Sequence, residues 1–282
     1  MIRSLWTAKT GLDAQQTNLD IITNNLANNQ TIAFKAARPV FTDLAYQTLR
    51  APGLASSAST LSGAAPGIGG VPSGPGGNIP AGLQVGSGAR LNGTQRINTP
   101  GALVVSQSPL SVAITGDGYF EVGDSQGRVV GYTRAGNFQR DSNGNIATAS
   151  GYLVLDSNKN PINLPSDANN ISISADGTVS YYRTNLQNPI TAGRFGFYSF
   201  LNPNGLFNSG GDLYYQTPAS GAPISGTPGA GGLGTVSQYY TEQSNVNVAE
   251  ELVSLIAAQR AYEITTRAVS ASDNILQKLG QL

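Results

Sequence analysis

The run Leu5-Trp-Thr-Ala-Lys-Thr-Gly-Leu12-Asp-Ala-Gln-Gln-Thr-Asn-Leu19-Asp-Ile-Ile-Thr-Asn-Asn-Leu26 places a leucine at every seventh position. At the far end of the chain Leu255, Tyr262, Val269 and Leu276 repeat that spacing with large apolar side chains. A helix of 3.6 residues per turn gathers each set on one stripe, and a stripe this narrow needs a helical partner to cover it. The seams therefore read Leu5, Leu12, Leu19, Ile22 and Leu26 in a first helix, and Leu252, Leu255, Tyr262, Val269 and Leu276 in a last one. Between them, roughly two hundred residues show no helical period. The ends are thus predicted to associate with each other or with copies of the chain, which is an assembly pattern rather than an active-site pattern.

Punctuation supports both helices. The first is predicted over 4–27, with Asn28 and Asn29 as stop signals. The last begins after Asn247, whose side chain is placed to cap the amide of Glu250 while Glu250 reaches back, and Gly280 is placed to end it. Ala257, Ala258, Ala261, Ala268, Ala271 and Ser272 form a small-residue set that lets neighbouring backbones come close. The remaining face carries Arg260, Glu263, Arg267, Asn274 and Gln277, a mixed-charge stripe predicted to face water. Trp6, the one tryptophan, reads as a buried anchor on the first helix.

The middle of the chain has a different period. Leu110, Val112 and Ile114, then Ile171 and Ile173, then Phe195 and Phe197 alternate with period two, between turn signals at Gly116-Asp-Gly118, Asn143-Gly144 and Asp176-Gly177. The predicted fold is α+β: long N- and C-terminal helices forming a bundle or coiled-coil domain, with a mostly antiparallel β domain inserted between them. The predicted boundaries are 1–35 for the N-terminal helix, 36–95 for an extended connector with a Pro/Gly-rich loop at 51–82, 96–240 for the β domain, and 241–282 for the C-terminal helix.

Composition removes most chemistry. The 282 residues contain no Cys and no His, so thiol nucleophiles, imidazole bases and most zinc or iron sites are excluded. Sixteen basic residues balance sixteen acidic ones, leaving no net field to recruit nucleic acid. No catalytic, cofactor-binding or metal-binding residues are predicted. Asp141-Ser-Asn-Gly-Asn145 reads as a hairpin turn, since its glycine falls too early for a calcium loop and no Glu closes it. Asp117 and Glu121 are the tightest carboxylate pair in the β region, and the rival function is a carbohydrate-active β domain built on them, with the helices serving only to oligomerise it.

The run Ser4 to Asp20, followed by Asn24-Asn-Leu-Ala-Asn28 and Phe34-Lys35, resembles bacterial flagellar rod and hook proteins. So do Ser244-Asn-Val-Asn-Val-Ala-Glu-Glu-Leu-Val253 and Gln259-Arg-Ala-Tyr-Glu263, with Gly116-Asp-Gly-Tyr-Phe120 and Tyr132-Thr-Arg134 in the β region. Asp43-Leu-Ala-Tyr-Gln-Thr-Leu-Arg50 and Gly82-Leu-Gln-Val-Gly-Ser-Gly88 are similar to the segments of the family that build the distal part of the rod. Ala33 stands where the family usually has Gly, so a left-handed backbone is not expected there. The resemblance implies a structural subunit of the distal rod of the basal body. Such a subunit polymerises helically into a hollow shaft that crosses the periplasm, transmits torque from motor to hook and houses the export channel. It also implies the partners: the chain itself, proximal rod proteins, the hook protein, the surrounding outer-membrane and peptidoglycan ring proteins, and the flagellar type III export apparatus. Export then proceeds without a cleaved signal peptide, in keeping with an N-terminus that lacks a continuous apolar stretch. The alternative within the family is another axial component, proximal rod or hook.

Overall fold

A computed structural model of the chain describes residues 2–50, 83–183 and 188–281. The Pro/Gly-rich loop expected at 51–82 lies outside the described residues. The fold is α+β: helix α1 (Ile2–Ala27) opens the chain, helix α2 (Val248–Gly280) closes it, and antiparallel strands lie between. The chain forms two compact units, one gathering Met1–Leu19, Pro39–Gly93 and Ala257–Leu282, the other Asp20–Arg38 and Thr94–Ile256. No helix among the described residues is long and apolar enough to cross a membrane.

In the first unit the two helices run in contact: a β-carbon added at Gly11 would stand 3.6 Å from Thr265 Cγ2. Strand Leu83–Val85 pairs with Gln47–Arg50, matching Gln47 to Val85. Gly88 seats this hairpin on α1. Its φ of 111° lies in the left-handed region, and a β-carbon there would come within 2.1 Å of Thr10 Oγ1, so only glycine fits.

The second unit holds the core. A nine-stranded antiparallel sheet is built around strands Tyr119–Gly123 and Val129–Thr133, and alternation sends their side chains to opposite faces. On one face Phe120 meets Phe138, Phe195 and Phe197 edge to face or nearly so, with ring centroids 5.3 to 5.8 Å apart. Each such side chain contributes on the order of 1.5 to 3 kcal/mol on burial. Gly118 makes this packing possible, because a β-carbon there would fall 2.1 Å from the Phe197 ring. On the other face Tyr119, Tyr132, Tyr198, Phe200, Leu206 and Tyr214 form a second cluster.

Local punctuation follows the sequence with three corrections. The Asp141 to Asn145 segment is a tight turn, with the Gly144 N–H donating to Asp141 O at 2.9 Å and Gly144 at φ 83°. The Asn247 cap oxygen accepts from the Ala249 N–H at 3.1 Å rather than from Glu250, because the second helical amide is also unpaired and lies within its reach. Gly280 is the last helical residue and takes no left-handed turn. Ala33, by contrast, does adopt φ 56° without being glycine. Its N–H donates to Glu242 O at 2.8 Å and its methyl is buried at 3 % exposure, so tertiary bonding outweighs the backbone preference.

Candidate functional site

Three faces of α2 differ in kind. Glu251, Leu255, Ala258, Ala261, Thr265, Val269 and Ser272, spaced three or four apart, form its covered line, all partly or fully buried. The predicted seam members Leu255 and Val269 lie on this line, whereas Leu252 and Tyr262 are exposed at 43 % and 38 %. The side chain of Leu276 lies outside the description. On α1, Leu5, Leu12, Leu19 and Leu26 are half-buried and Ile22 is buried.

Far round α2 from the covered line, Val253, Ile264 and Ile275 stand exposed at 67, 67 and 53 %, with exposed Ala257, Ala268 and Ala271 between them. The alanines of this uncovered apolar stripe belong to the small-residue set read from the sequence, whereas Val253, Ile264 and Ile275 were not read there. The mixed-charge stripe beside it, Arg260, Glu263, Arg267, Asn274 and Gln277, is exposed throughout. A helix with apolar residues on two sides has one side more than a single partner helix can cover.

Trp6 corrects an expectation. It is 59 % exposed and, with Arg3, Thr7, Gln47, Gly86 and Ser87, lines an open cavity of about 250 Å³, while Lys9 Nζ sits 5.6 Å from its ring centroid. Trp6 follows Leu5 by one residue, about 100° round the helix and therefore off the seam.

In the second unit, a buried ion cluster joins segments far apart in sequence. Lys35 Nζ donates to Glu242 Oε1 at 2.5 Å and to Thr99 O at 2.8 Å. Arg134 Nε donates to Glu242 Oε2 at 2.7 Å, while its other nitrogens reach Gly116 O and Gly118 O. The Gly101 N–H completes the Glu242 carboxylate at 2.9 Å. Burial lowers the Lys35 ammonium from its ordinary value, the neighbouring Arg134 charge adds to this, and Glu242 opposes it. Burial alone would push Glu242 up, yet Arg134, Lys35 and the Gly101 N–H together hold it below the ordinary carboxylate range. Two asparagines extend the joint. Asn245 accepts from the Ala36 N–H at 2.7 Å and donates to Ile97 O at 2.7 Å. Asn25 bonds both backbone groups of Ala37 and donates to Glu251 Oε1 at 3.1 Å. The cluster thus fastens the chain after α1 and the chain before α2 to the turn that carries Gly116 and Gly118.

Asp117 and Glu121 are not brought together. Asp117 is exposed and lines a cavity of about 170 Å³ beside Lys35 and Arg134, whereas Glu121 lines a different cavity. A glycosidase needs two carboxyl groups flanking one bond, and this arrangement does not supply them.

Comparison with known proteins fits a chain built for packing. The flagella basal body rod protein family matches residues 5–35, the flagellar hook protein FlgE/F/G D1 domain matches 113–181, and the flagellar basal body rod FlgEFG protein C-terminal family matches 237–282. The flagellar basal-body rod protein FlgG of Buchnera aphidicola is 46 % identical over 282 residues, covering all of both chains. Those of Caulobacter vibrioides and Bacillus subtilis are 38 % and 36 % identical, each covering all of this chain and 99 % of its own. The chain therefore belongs to the FlgG family of flagellar basal-body rod proteins, non-enzymatic structural subunits of the distal rod.

Proposed function

We propose that this subunit polymerises helically into a hollow distal rod that transmits torque from motor to hook and encloses the export channel. Residues 1–35 and 241–282 form the helical domain, 36–95 the connector, and 96–240 the outward β domain. The observation that carries the proposal is the uncovered stripe of Val253, Ile264 and Ile275, roughly a third of a turn round α2 from a line already covered within the chain. Leu5, Leu12, Leu19, Ile22, Leu26, Leu252, Leu255, Tyr262, Val269 and Leu276 pack against neighbouring helices, and Arg260, Glu263, Arg267, Asn274 and Gln277 face the channel. A neutral, mixed-charge wall offers unfolded cargo no fixed field to bind. The partners are other copies of the chain, the proximal rod, the hook protein, the ring proteins around the shaft and the type III export apparatus, through which the chain leaves the cell interior without a cleaved signal.

The chain has no cysteine, so single introduced thiols report cleanly. In intact rods, Arg267→Cys is expected to react with a hydrophilic maleimide while Leu255→Cys is protected. Equal labelling of the two overturns the assignment of faces.

A further inference from the structure

The ion cluster of the second unit holds more positive charge than its own carboxylate answers. Lys35 and Arg134 are exposed by only 3 % and 4 %, and both pair with the single carboxylate of Glu242. Among the described residues neither makes a second ion pair. The acceptors they reach are Thr99 O, Gly116 O, Gly118 O and the two Glu242 oxygens. An ammonium and a guanidinium together carry more N–H donors than that, so donors outnumber acceptors. Burial lowers the Lys35 ammonium and the Arg134 charge lowers it further, so the two cations still repel each other across Glu242.

Both side chains line a cavity of about 170 Å³, whose lining also includes Gly231 and Gly232. These glycines take φ 63° and 83°, and a β-carbon on either would meet nothing within 4 Å, so backbone conformation rather than space calls for glycine. The turn that carries them is held by Leu233 N–H to Ala230 O at 3.1 Å and Gly229 N–H to Gly234 O at 3.0 Å. The Gly231 and Gly232 N–H groups themselves donate to no backbone acceptor among the described residues. Charge selects the ligand. Lys35 and Arg134 oppose a cation, and an apolar guest leaves polar hydrogens unpaired. An anion takes charge-assisted bonds from both cations and further bonds from free backbone N–H groups. Asp117, the one acid in the lining, is exposed and makes no ion pair, although it is close enough to act on Lys35. At about 30 Å³ per water, the cavity has room for a small oxyanion.

We propose that this cavity is an anion-binding site that takes one small oxyanion, a carboxylate or a phosphate. Lys35 and Arg134 supply the charge, and the Gly231 and Gly232 N–H groups supply further hydrogen bonds. All four residues belong to one compact unit, so binding is a property of the single chain and stands apart from the polymer reading.

The test is amide-resolved titration of the full-length, isotope-labelled protein with sodium phosphate and, separately, sodium acetate, each against sodium chloride at equal ionic strength. At least one oxyanion should give saturable shifts at Gly118, Gly231, Gly232 and Leu233, half-complete below about 10 mM. Asp117→Asn removes an exposed negative charge beside the site and should tighten that binding by about threefold, with the unfolding transition unchanged. Lys35→Met leaves Arg134 and Glu242 as a balanced pair and should weaken binding by about tenfold or more. If Lys35→Met fails to fold, Asp117→Asn decides alone. No saturation with either oxyanion, shifts that chloride reproduces, or shifts confined to other residues overturn the proposal. So does unchanged or weaker binding by folded Asp117→Asn.

Discussion

Phe120 and Ile264 are both large apolar side chains, yet Phe120 is wholly buried among three other phenylalanine rings and Ile264 is 67 % exposed. The contrast runs through both regions. The β region closes a core of Val112, Ile114, Phe120, Val122, Val154 and their neighbours at or near zero exposure within one chain. Along the described side chains of α2, only Ala258 is fully buried. Ordering a long helix costs backbone entropy at every residue, and in proteins most helical stability comes from packing an apolar face. The β region therefore carries its own stability, while the helices depend on neighbours to supply theirs.

The largest expected effect breaks the helical side of that contrast. Leu12→Asp or Val269→Asp puts a charge into a seam and should abolish incorporation into the rod and swimming, while the thermal transition of the β region stays in place. A shifted β transition would mean that the two regions are energetically one.

Next comes the ion cluster. Glu242→Gln leaves Lys35 and Arg134 buried without their shared counter-charge, which should cost the β region about 3 to 5 kcal/mol in urea unfolding. The wild-type cluster also sets an acid limb. Glu242 titrates below 4.5 in the fold, so between its folded value and 4.5 the unfolded chain binds more protons. Its stabilisation is thus complete above that window and lost as pH falls through it, and Glu242→Gln should flatten this limb.

Glu121 has the opposite sign. Burial raises its carboxyl above 4.5, so the fold binds more protons than the unfolded chain just above that value, and stability falls as pH rises through the window. Glu121→Gln should raise the melting temperature near neutral pH and change it little at about pH 4. A drop at neutral pH would show that the ionised carboxyl is stabilising instead. The smallest effect is expected for Trp6→Ala: loss of this exposed ring should change monomer stability by less than about 0.5 kcal/mol, and a larger loss would place Trp6 in the intrachain packing after all.

What was legible in the sequence was periodic or local. The seven-residue repeats mark α1 and α2, the period-two runs mark the strands, and Asp141 to Asn145 carries its turn in its own side chains. The ion cluster was not legible, because Lys35 and Arg134 lie 207 and 108 residues from Glu242 and no local pattern links them. The motifs Phe34-Lys35 and Tyr132-Thr-Arg134 were visible, but their meeting point was not. Ala33 misled because a tertiary hydrogen bond outweighs its backbone preference, and Trp6 misled because size suggested burial where helical phase did not. Of the second apolar stripe of α2, Ala257, Ala268 and Ala271 were legible as small residues, but Val253, Ile264 and Ile275 were not, because their spacing falls outside the seven-residue register of the seam.

The central claim is that neighbouring subunits complete the helices. Far-ultraviolet circular dichroism of the same protein as monomer and as polymer tests it most directly. The account predicts a weak helical signal in the monomer that rises sharply on polymerisation, with the β contribution constant. Full helix content in a protein that remains monomeric would contradict it.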